Sequence, residues 1–527
     1  MSDEFDYPSS AIAYTHPARL AAVAIQRGLD VEFRGTFSYL ELACGDASNL
    51  LPLAVQFPGA TFVGVDLDTA AVLQGERRAQ ALGLKNLRLI AGDLKDVELG
   101  GVFDFVVAHG VYSWVASDVQ VALLSRGQAW LAERGVLYVS YNTLPGWGIR
   151  GVLRSVMRDA AAEELEPRGR LRKAKLAVSR LQQHVPQDNP YGALLGAELG
   201  LVLNKQDGYL LGEHLAEHNE ALFVGDFLRR AGEQGLQFLG EQVAATPDGA
   251  LEQRLPAQLE ALGLPEAEAQ RHLDVLCYRQ FRATLLCHRE RALKPKLVAR
   301  LRDAGYLAGQ LSVLAKEPLL SPGEKLGFET VHGVVIESEE PLQKAALLVL
   351  SKSFPRGLHM ADLMSAALAE LRARALLDSS PVSPSSIEAA IRDLLDLVER
   401  RQLELLPWTP EPATRIASPR PCLPALTRLE ATRGHVTTPR HEALSLDGFR
   451  AALLTLLDGR HDLAQLVGEL RALFEAGELR LSAEERKVFE DDESVLALVR
   501  QCTLEAVQFG LFNPEVATSP LSEPLRS

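Results

Sequence analysis

The residues of this chain that could do chemistry stand at the ends of short apolar runs within the first 150 positions. The first run closes in Glu41-Leu42-Ala43-Cys44-Gly45-Asp46-Ala47-Ser48-Asn49, and a helical pattern follows at once. Small residues at 43, 45 and 47 let the backbone come close to a ligand that larger side chains would obstruct. The dinucleotide fingerprint G-x-G-x-x-G is absent, and an acid at 41 opposes phosphate and suits a cationic or polar ligand. The second run ends at Val65-Asp66-Leu67, where a carboxylate is placed to accept hydrogen bonds from two ribose hydroxyls. The third leads into Gly92-Asp93-Leu94, a carboxylate for an exocyclic adenine amine with an apolar neighbour for the ring. The fourth runs into His109-Gly110-Val111-Tyr112-Ser113-Trp114, and the fifth into Asn142, Pro145 and Trp147. A lone acid at a strand end is most often a helix cap or turn former. The order and spacing of the whole set carry the information.

The elements that must hold these residues are legible as alternation. Apolar runs at Phe37–Ala43, Ala60–Val65, Leu87–Ile90, Phe103–Ala108 and Val136–Tyr141 are separated by helical patterns at Ala47–Gln56, Asp68–Leu82 and Val119–Ala132. Such alternation predicts an α/β domain with a parallel sheet and helices on both faces, its ligand crevice at the carboxyl ends of the strands. Beyond residue 145 the pattern turns mostly helical to about 320, with a basic stretch from Arg168 to Arg180 that reads as a solvated helix face or, less simply, as a docking surface for an acidic partner. Pro318–Gly323 reads as a linker, residues 340–408 as a small winged-helix pattern, 407–424 as a Pro-rich separator, and 425–515 as a final helical module. At about 150 residues per domain, 527 residues suggest three to four domains. The division expected is 1–150, 151–320, 335–410 and 425–515.

The constellation resembles the class I S-adenosylmethionine-dependent methyltransferases, whose loop reads D/E-x-G-x-G and whose second strand ends in a ribose-binding acid. The resemblance implies a Rossmann-like domain. It places Glu41 and Gly45 on the methionine and ribose side, Asp66 at the ribose and Asp93 at the adenine with Leu94 on the ring, and counts Ala43, Leu67 and His109 among the cofactor-binding residues. Ala43 and Ala47 stand where that motif carries glycine. Further segments are similar to one bacterial family that joins this domain to a methyltransferase regulatory domain: Tyr14-Thr15-His16-Pro17 with Arg19, Ser140-Tyr141-Asn142-Thr143-Leu144-Pro145-Gly146-Trp147, His218-Asn219, Phe223 with Asp226-Phe227, Arg279-Gln280-Phe281-Arg282, Thr438-Pro439-Arg440-His441-Glu442 and Leu457-Asp458-Gly459. That family includes lysine methyltransferases of bacterial outer-membrane proteins. The fold class expected is therefore a class I methyltransferase domain, a helical regulatory domain and small winged-helix-like C-terminal modules.

Methyl transfer from a sulfonium needs alignment and exclusion of water more than acid–base work, and an amine acceptor must arrive neutral. The resemblance implies a protein lysine as acceptor; a small-molecule acceptor and a non-catalytic cofactor-binding scaffold are the alternatives. Tyr112 and Trp114 are expected to wall the acceptor channel, with His109 and Asn142 as polar positioners, and core packing is the competing reading for Trp114 and Trp147. His16 and Arg19 could close over the cofactor as an N-terminal lid, or cap a helix. His218, His272 and His288 read as structural, and no metal is expected.

Composition narrows the rest. The net charge of −14 gives nucleic acid no general attraction, and 47% apolar with 24% charged residues is ordinary for a folded soluble chain. Five scattered cysteines without a CxxC pair exclude a disulfide scaffold and the common zinc spacings. The N-terminus lacks a signal-peptide pattern, and no apolar run reaches the ~18 residues of a membrane span. A cytoplasmic protein is expected, the acceptor implied by the resemblance is a protein with a small molecule as the alternative, and a homodimer is left open.

Overall fold

The computed structural model describes residues 9–243, 263–294, 297–377, 382–411, 419–479 and 481–512. The acidic first eight residues, the segment after Pro514 and part of the Pro-rich separator therefore lie outside the described residues. At the centre stand seven strands in the order β3-β2-β1-β4-β5-β7-β6. They are β1 (Ser38–Leu42), β2 (Thr61–Asp66), β3 (Leu87–Ala91), β4 (Phe103–Ala108), β5 (Leu131–Asn142), β6 (Leu236–Glu241) and β7 (Phe281–His288). The first five pair in parallel, while β7 runs antiparallel to both β5 and β6. The parallel strands were expected; β6 and β7 were not. The sheet of the first domain is completed by chain from beyond residue 230, so a boundary at 150 cuts through it.

Period-two alternation explains both faces of this sheet. Tyr39, Phe105 and Tyr138 point to one side, where α1 (Pro17–Gln26), α2 (Leu50–Gln56) and α3 (Thr69–Ala81) bury Leu20, Leu53 and Val72. Leu40, Val106 and Leu137 point to the other, against Leu123 and Leu124 of α4 (Ser117–Ala129) and Phe227 of the helix Val224–Glu233. Helix starts follow local chemistry: Asp68 accepts from the backbone N–H groups of Ala70 and Ala71, and Pro17 stands in the first turn of α1, capped by His16. Three further helices, α5 (Trp147–Ala160), α6 (Pro167–Gln183) and α7 (Pro190–Leu203), share a separate core that includes Leu153, Met157, Leu171, Val178 and Leu199. The basic stretch lies on α6, where Lys173 pairs with Glu164, Lys175 with Asp207, and Arg170 donates to the Leu215 carbonyl.

The C-terminal half departs from the expected division in two places. Pro318–Gly323 is not a linker: it joins Leu311–Val313 to Leu326–Thr330 within one three-stranded sheet, and Leu320 is buried. The winged-helix-like unit begins upstream of 335, because Tyr306–Ala308 supplies the middle strand between Leu358–His359 and Glu404–Leu406. Its core is continuous with the α1 face of the large sheet, so Leu307, Leu347 and Leu394 belong to the same cluster as Leu20 and Tyr39. The last part, with the hairpin His435–Thr437/Ala443–Ser445, keeps its own core around Phe449, Leu466 and Val499.

A buried ion cluster fastens the unexpected edge of the sheet. Arg282 of β7 is fully buried and donates to both oxygens of Asp274, at 2.9 and 2.8 Å, and to Glu241 of β6 at 2.6 Å. Removing one partner leaves a buried charge uncompensated, which costs about 3–5 kcal/mol. Asp274→Ala is therefore expected to lower unfolding stability by about that amount. Chemical denaturation followed by tryptophan fluorescence checks this, and a loss under about 1 kcal/mol would mean that water enters and solvates the arginine.

Candidate active site

Where β1, β2 and β4 end, the chain makes a tight loop from Ala43 to Asn49. Ala43, Gly45 and Ala47 all adopt positive φ, at 59°, 54° and 60°. Left-handed backbone is free for glycine but costs an alanine about 1–2 kcal/mol. The loop is held close to its surroundings: a Cβ on Gly75 of α3 would meet the Asp46 carbonyl oxygen at 2.8 Å, and one on Gly64 of β2 would meet Cys44 Sγ at 2.7 Å.

The acids stand around this loop. Asp66 at the end of β2 accepts from the backbone N–H of Gly45 at 2.7 Å and from that of Asp68 at 2.8 Å, so it joins the loop to the next helix start. Glu41 is buried at 4% exposure; Asn49 Nδ2 donates to its Oε1 at 3.0 Å, while Oε2 has no hydrogen-bond partner. Burial pushes the Glu41 carboxyl up to about 8 against the lowering bond from Asn49, with Asp66 and Asp46 adding to the rise. A buried carboxyl oxygen without a hydrogen-bond partner has the capacity to accept from a donor group of a ligand. Leu67, next to Asp66, is an apolar side chain 73% exposed, and Leu94 is half-buried beside Asp93, whose Oδ1 accepts from the Lys95 N–H at 2.9 Å. Glu41, Asp66 and Asp93 thus stand at or just past the ends of three neighbouring strands, and their chemistry fits the aminocarboxypropyl, ribose and adenine parts of S-adenosylmethionine.

Past the loop the next wall is polar and aromatic. His109 Nδ1 lies 2.9 Å from Tyr138 Oη, and its ring faces Phe281 at 5.8 Å. Burial lowers the His109 imidazole to about 4, so it is neutral at pH 7. Trp114, partly exposed, meets the buried Trp147 edge-on at 5.7 Å. Asn142 donates from Nδ2 to Asn219 Oδ1 at 3.4 Å, and its backbone N–H donates to Ser113 Oγ at 2.9 Å. Leu222 and Glu220 hydrogen-bond to the backbone of Asn142 and Ser113, so segment 217–222 is laced across the ends of β4 and β5. Behind Trp147 stands His214, which is buried and has no hydrogen-bond partner at either ring nitrogen. Burial and the charges of Arg150, Arg154 and Lys205 hold it down at about 4.

One expectation fails, and one pair of alternatives is decided for the helix cap over the lid. Tyr112 does not line a channel: it is fully buried, its ring packed against Phe227 at 5.3 Å and near Tyr141, because the helix Val224–Glu233 covers that face of the sheet. His16 and Arg19 do not close over the ligand loop. His16 caps α1 and stacks near Trp408 and His441, and Arg19 pairs with Glu404 at 2.8 Å and Glu442 at 3.1 Å. Both anchor the C-terminal half. Asn219 and Phe281 have no role assigned from the sequence because each reaches the site from beyond residue 200, on segments that only the completed sheet positions, whereas Tyr138 lies on the expected β5 and its contact with His109 is visible only in the fold.

Three family models match the chain: a methyltransferase domain over residues 40–137, a predicted methyltransferase regulatory domain over 206–288, and the PKMT C-terminal winged helix domain over 419–508. The last falls on the stretch read from sequence as a helical module. Among relatives, Uncharacterized protein RP789 of Rickettsia prowazekii is 26% identical over 502 residues, covering 93% of this chain and 89% of that protein. Uncharacterized protein RP028 of the same organism is 31% identical over 239 residues, 45% of this chain and 96% of that protein. The structure of PKMT2 from Rickettsia typhi superposes with a TM-score of 0.82 at 22% identity, over 96% of this chain and 99% of that one. Its complex with AdoHcy gives 0.82 at 23% identity. The seven-stranded sheet, the ligand loop and the three matched models lead to one assignment: the chain belongs to the class I S-adenosylmethionine-dependent methyltransferases that carry a methyltransferase regulatory domain and a PKMT-type C-terminal winged helix.

Proposed function

We propose that this enzyme transfers methyl groups to lysine side chains of a protein. The observation that carries this reading is the match of residues 419–508 to the winged helix of the protein lysine methyltransferases, on a chain whose fold follows PKMT2 over nearly its full length. When bound, S-adenosylmethionine supplies the activated methyl group on its sulfonium. Glu41 and the loop at Ala43 and Gly45 hold its amino-acid end, Asp66 the ribose hydroxyls, and Asp93 with Leu67 and Leu94 the adenine. The fit rests on the open Oε2 of Glu41 and the exposed side chain of Leu67.

The acceptor side is built for a neutral amine. Trp114, against Trp147, offers an aromatic face along which a lysine stem can lie. Burial in such a slot disfavours the ammonium form, and the cations that depress His214 act in the same direction. Asn142 and Asn219 orient the amine, and the proton leaves to water. His109 is a positioner fixed through Tyr138, since a group held at about 4 is a poor base for a lysine at pH 7. Segment 217–222 and helices α5–α7 close this side of the cleft and exclude water.

Three experiments test the reading. Incubation with radiolabelled S-adenosylmethionine and a bacterial outer-membrane protein fraction should place label on lysines identified by mass spectrometry; label found solely in small molecules would move the acceptor to that class. Asp66→Ala should weaken S-adenosylmethionine binding by about 1.5–3 kcal/mol in calorimetry, whereas Trp114→Ala should spare binding and lower turnover. A Trp114 variant that loses thermal stability alone removes the tryptophan from the acceptor slot.

The third concerns Glu41. Its carboxyl stands at about 8 in the folded, ligand-free protein against 4.5 as the ordinary value. A raised carboxyl adds stability that is complete below the ordinary value and is lost as the pH climbs through about 8. Glu41→Gln should therefore gain melting temperature over the wild type progressively from pH 5 to pH 8. A gap that stays constant across that range would show that Glu41 is charged throughout.

A further inference from the structure

We propose that the C-terminal winged helix is a positioning element for the cofactor, acting through His441 and Arg433 on the loop between Ala43 and Asn49. The proposal rests on the reading that this loop holds S-adenosylmethionine. The two side chains reach the middle and the C-terminal end of the loop from more than 380 residues away in sequence. His441 Nε2 lies 2.8 Å from Asn49 Oδ1 across 392 positions. Arg433 donates to Ser48 Oγ at 2.7 Å and to Asp46 Oδ2 at 2.8 Å, across 385 and 387 positions.

The direction of the first bond is fixed by its surroundings. Asn49 spends its amide N–H groups on Glu41 Oε1 and Thr15 Oγ1, both at 3.0 Å, so its Oδ1 faces His441 and the imidazole must donate from Nε2. Burial, with His16 and Arg19 beside it, keeps His441 neutral. His441 itself is held at φ 62° and buried at 1% exposure, on a turn where its N–H donates to the Thr438 carbonyl at 2.8 Å. The neighbouring Pro439 carbonyl accepts from Gln56 Nε2 of α2 at 2.6 Å, which pins the turn to the helix that the loop starts. A chain of direct contacts thus runs from the winged helix through Asn49 to the acid at the methionine end of the cofactor site.

Arg433 works on the loop's middle. Together with Arg78 of α3, whose guanidinium meets Asp46 Oδ2 at 2.7 Å and Ser48 Oγ at 3.0 Å, it clamps the two residues that flank Ala47. Burial would raise the Asp46 carboxyl, but hydrogen bonds from Ser9 and Ser48 and the charges of both arginines hold it below its usual range. Asp46 is therefore ionised and able to anchor both cations. The loop needs such a clamp because Ala43 and Ala47 adopt a backbone region that alanine leaves when nothing holds it there. In this chain the winged helix supplies from outside what glycine would supply from within.

The experiment uses the full chain and calorimetric titration with S-adenosylmethionine. His441→Ala, which loses one hydrogen bond at Asn49, and Arg433→Ala, which loses two at Asp46 and Ser48, should each raise the Kd by about tenfold or more. Adding Ala47→Gly to Arg433→Ala should recover about two- to fivefold, because glycine occupies the left-handed region unaided. A contact that merely stabilised the module would not give a loss of cofactor affinity that glycine at 47 restores. Arg450→Ala breaks the ion pair with Glu505 inside the same module, away from the loop, and should leave the Kd unchanged. If Arg433→Ala does not fold, Arg433→Lys keeps the charge, and the same rescue of its smaller loss by Ala47→Gly is expected. Wild-type Kd values in folded His441 and Arg433 variants, an equal loss in Arg450→Ala, or no rescue by glycine each overturn the inference. No binding by the wild type overturns the cofactor reading along with it.

Discussion

Asn49 is one amide on which three distant parts of the chain converge. Its nitrogen donates to Glu41 and Thr15, and its oxygen takes hydrogen bonds from the Ile12 N–H at 2.9 Å and from His441. The sheet, the N-terminal segment and the winged helix therefore meet at a single buried side chain. A loop with two alanines at positive φ sits immediately beside it, and its shape depends on that convergence. Buried polar networks of this kind stabilise only when every member is satisfied, so a displacement of any one partner is felt by the others.

The same constraint accounts for the arrangement of the outer modules. Arg19 and Arg440 both reach Glu404, and Arg19 also reaches Glu442, so the first helix and both C-terminal units share one ionic junction in which the arginines are buried and the carboxylates half-buried. The Arg19 and Arg440 charges hold the Glu404 carboxyl far below its ordinary value despite its burial. With the apolar core running unbroken from α1 into residues 306–406, the C-terminal half is part of the catalytic domain's support. A methyltransferase sheet alone would leave α1 and α2 without the partners that now cover them.

On the opposite side of the ligand loop, the regulatory segment is woven into the sheet. Strands β6 and β7 complete it, and residues 217–222 cross the ends of β4 and β5. Three separated stretches thus meet past the ends of β4 and β5: Trp114, Asn142 with Trp147, and Asn219. The cluster of Arg282 with Asp274 and Glu241 locks β6, β7 and the helix Glu266–Leu276 together, which fixes Phe281 opposite Asn142 and beside His109.

The amino-acid order carries the five parallel strands, the helices between them and the places of Glu41, Gly45, Asp66 and Asp93 in its local patterns. Those features follow from period-two alternation, from small residues at a turn and from acids at strand ends, which are local properties of the chain. It did not determine where Tyr112 points, because whether an aromatic ring walls a cleft or fills a core depends on the helix Val224–Glu233 that lands on it from over 100 residues away. Nor did it reveal that His16 and Arg19 face the C-terminal half, that Pro318–Gly323 lies inside a sheet, or that Arg433 and His441 hold the ligand loop. Each of those outcomes is a contact between residues far apart in sequence, and a single chain read in order carries no record of which distant side chains folding brings within hydrogen-bonding reach.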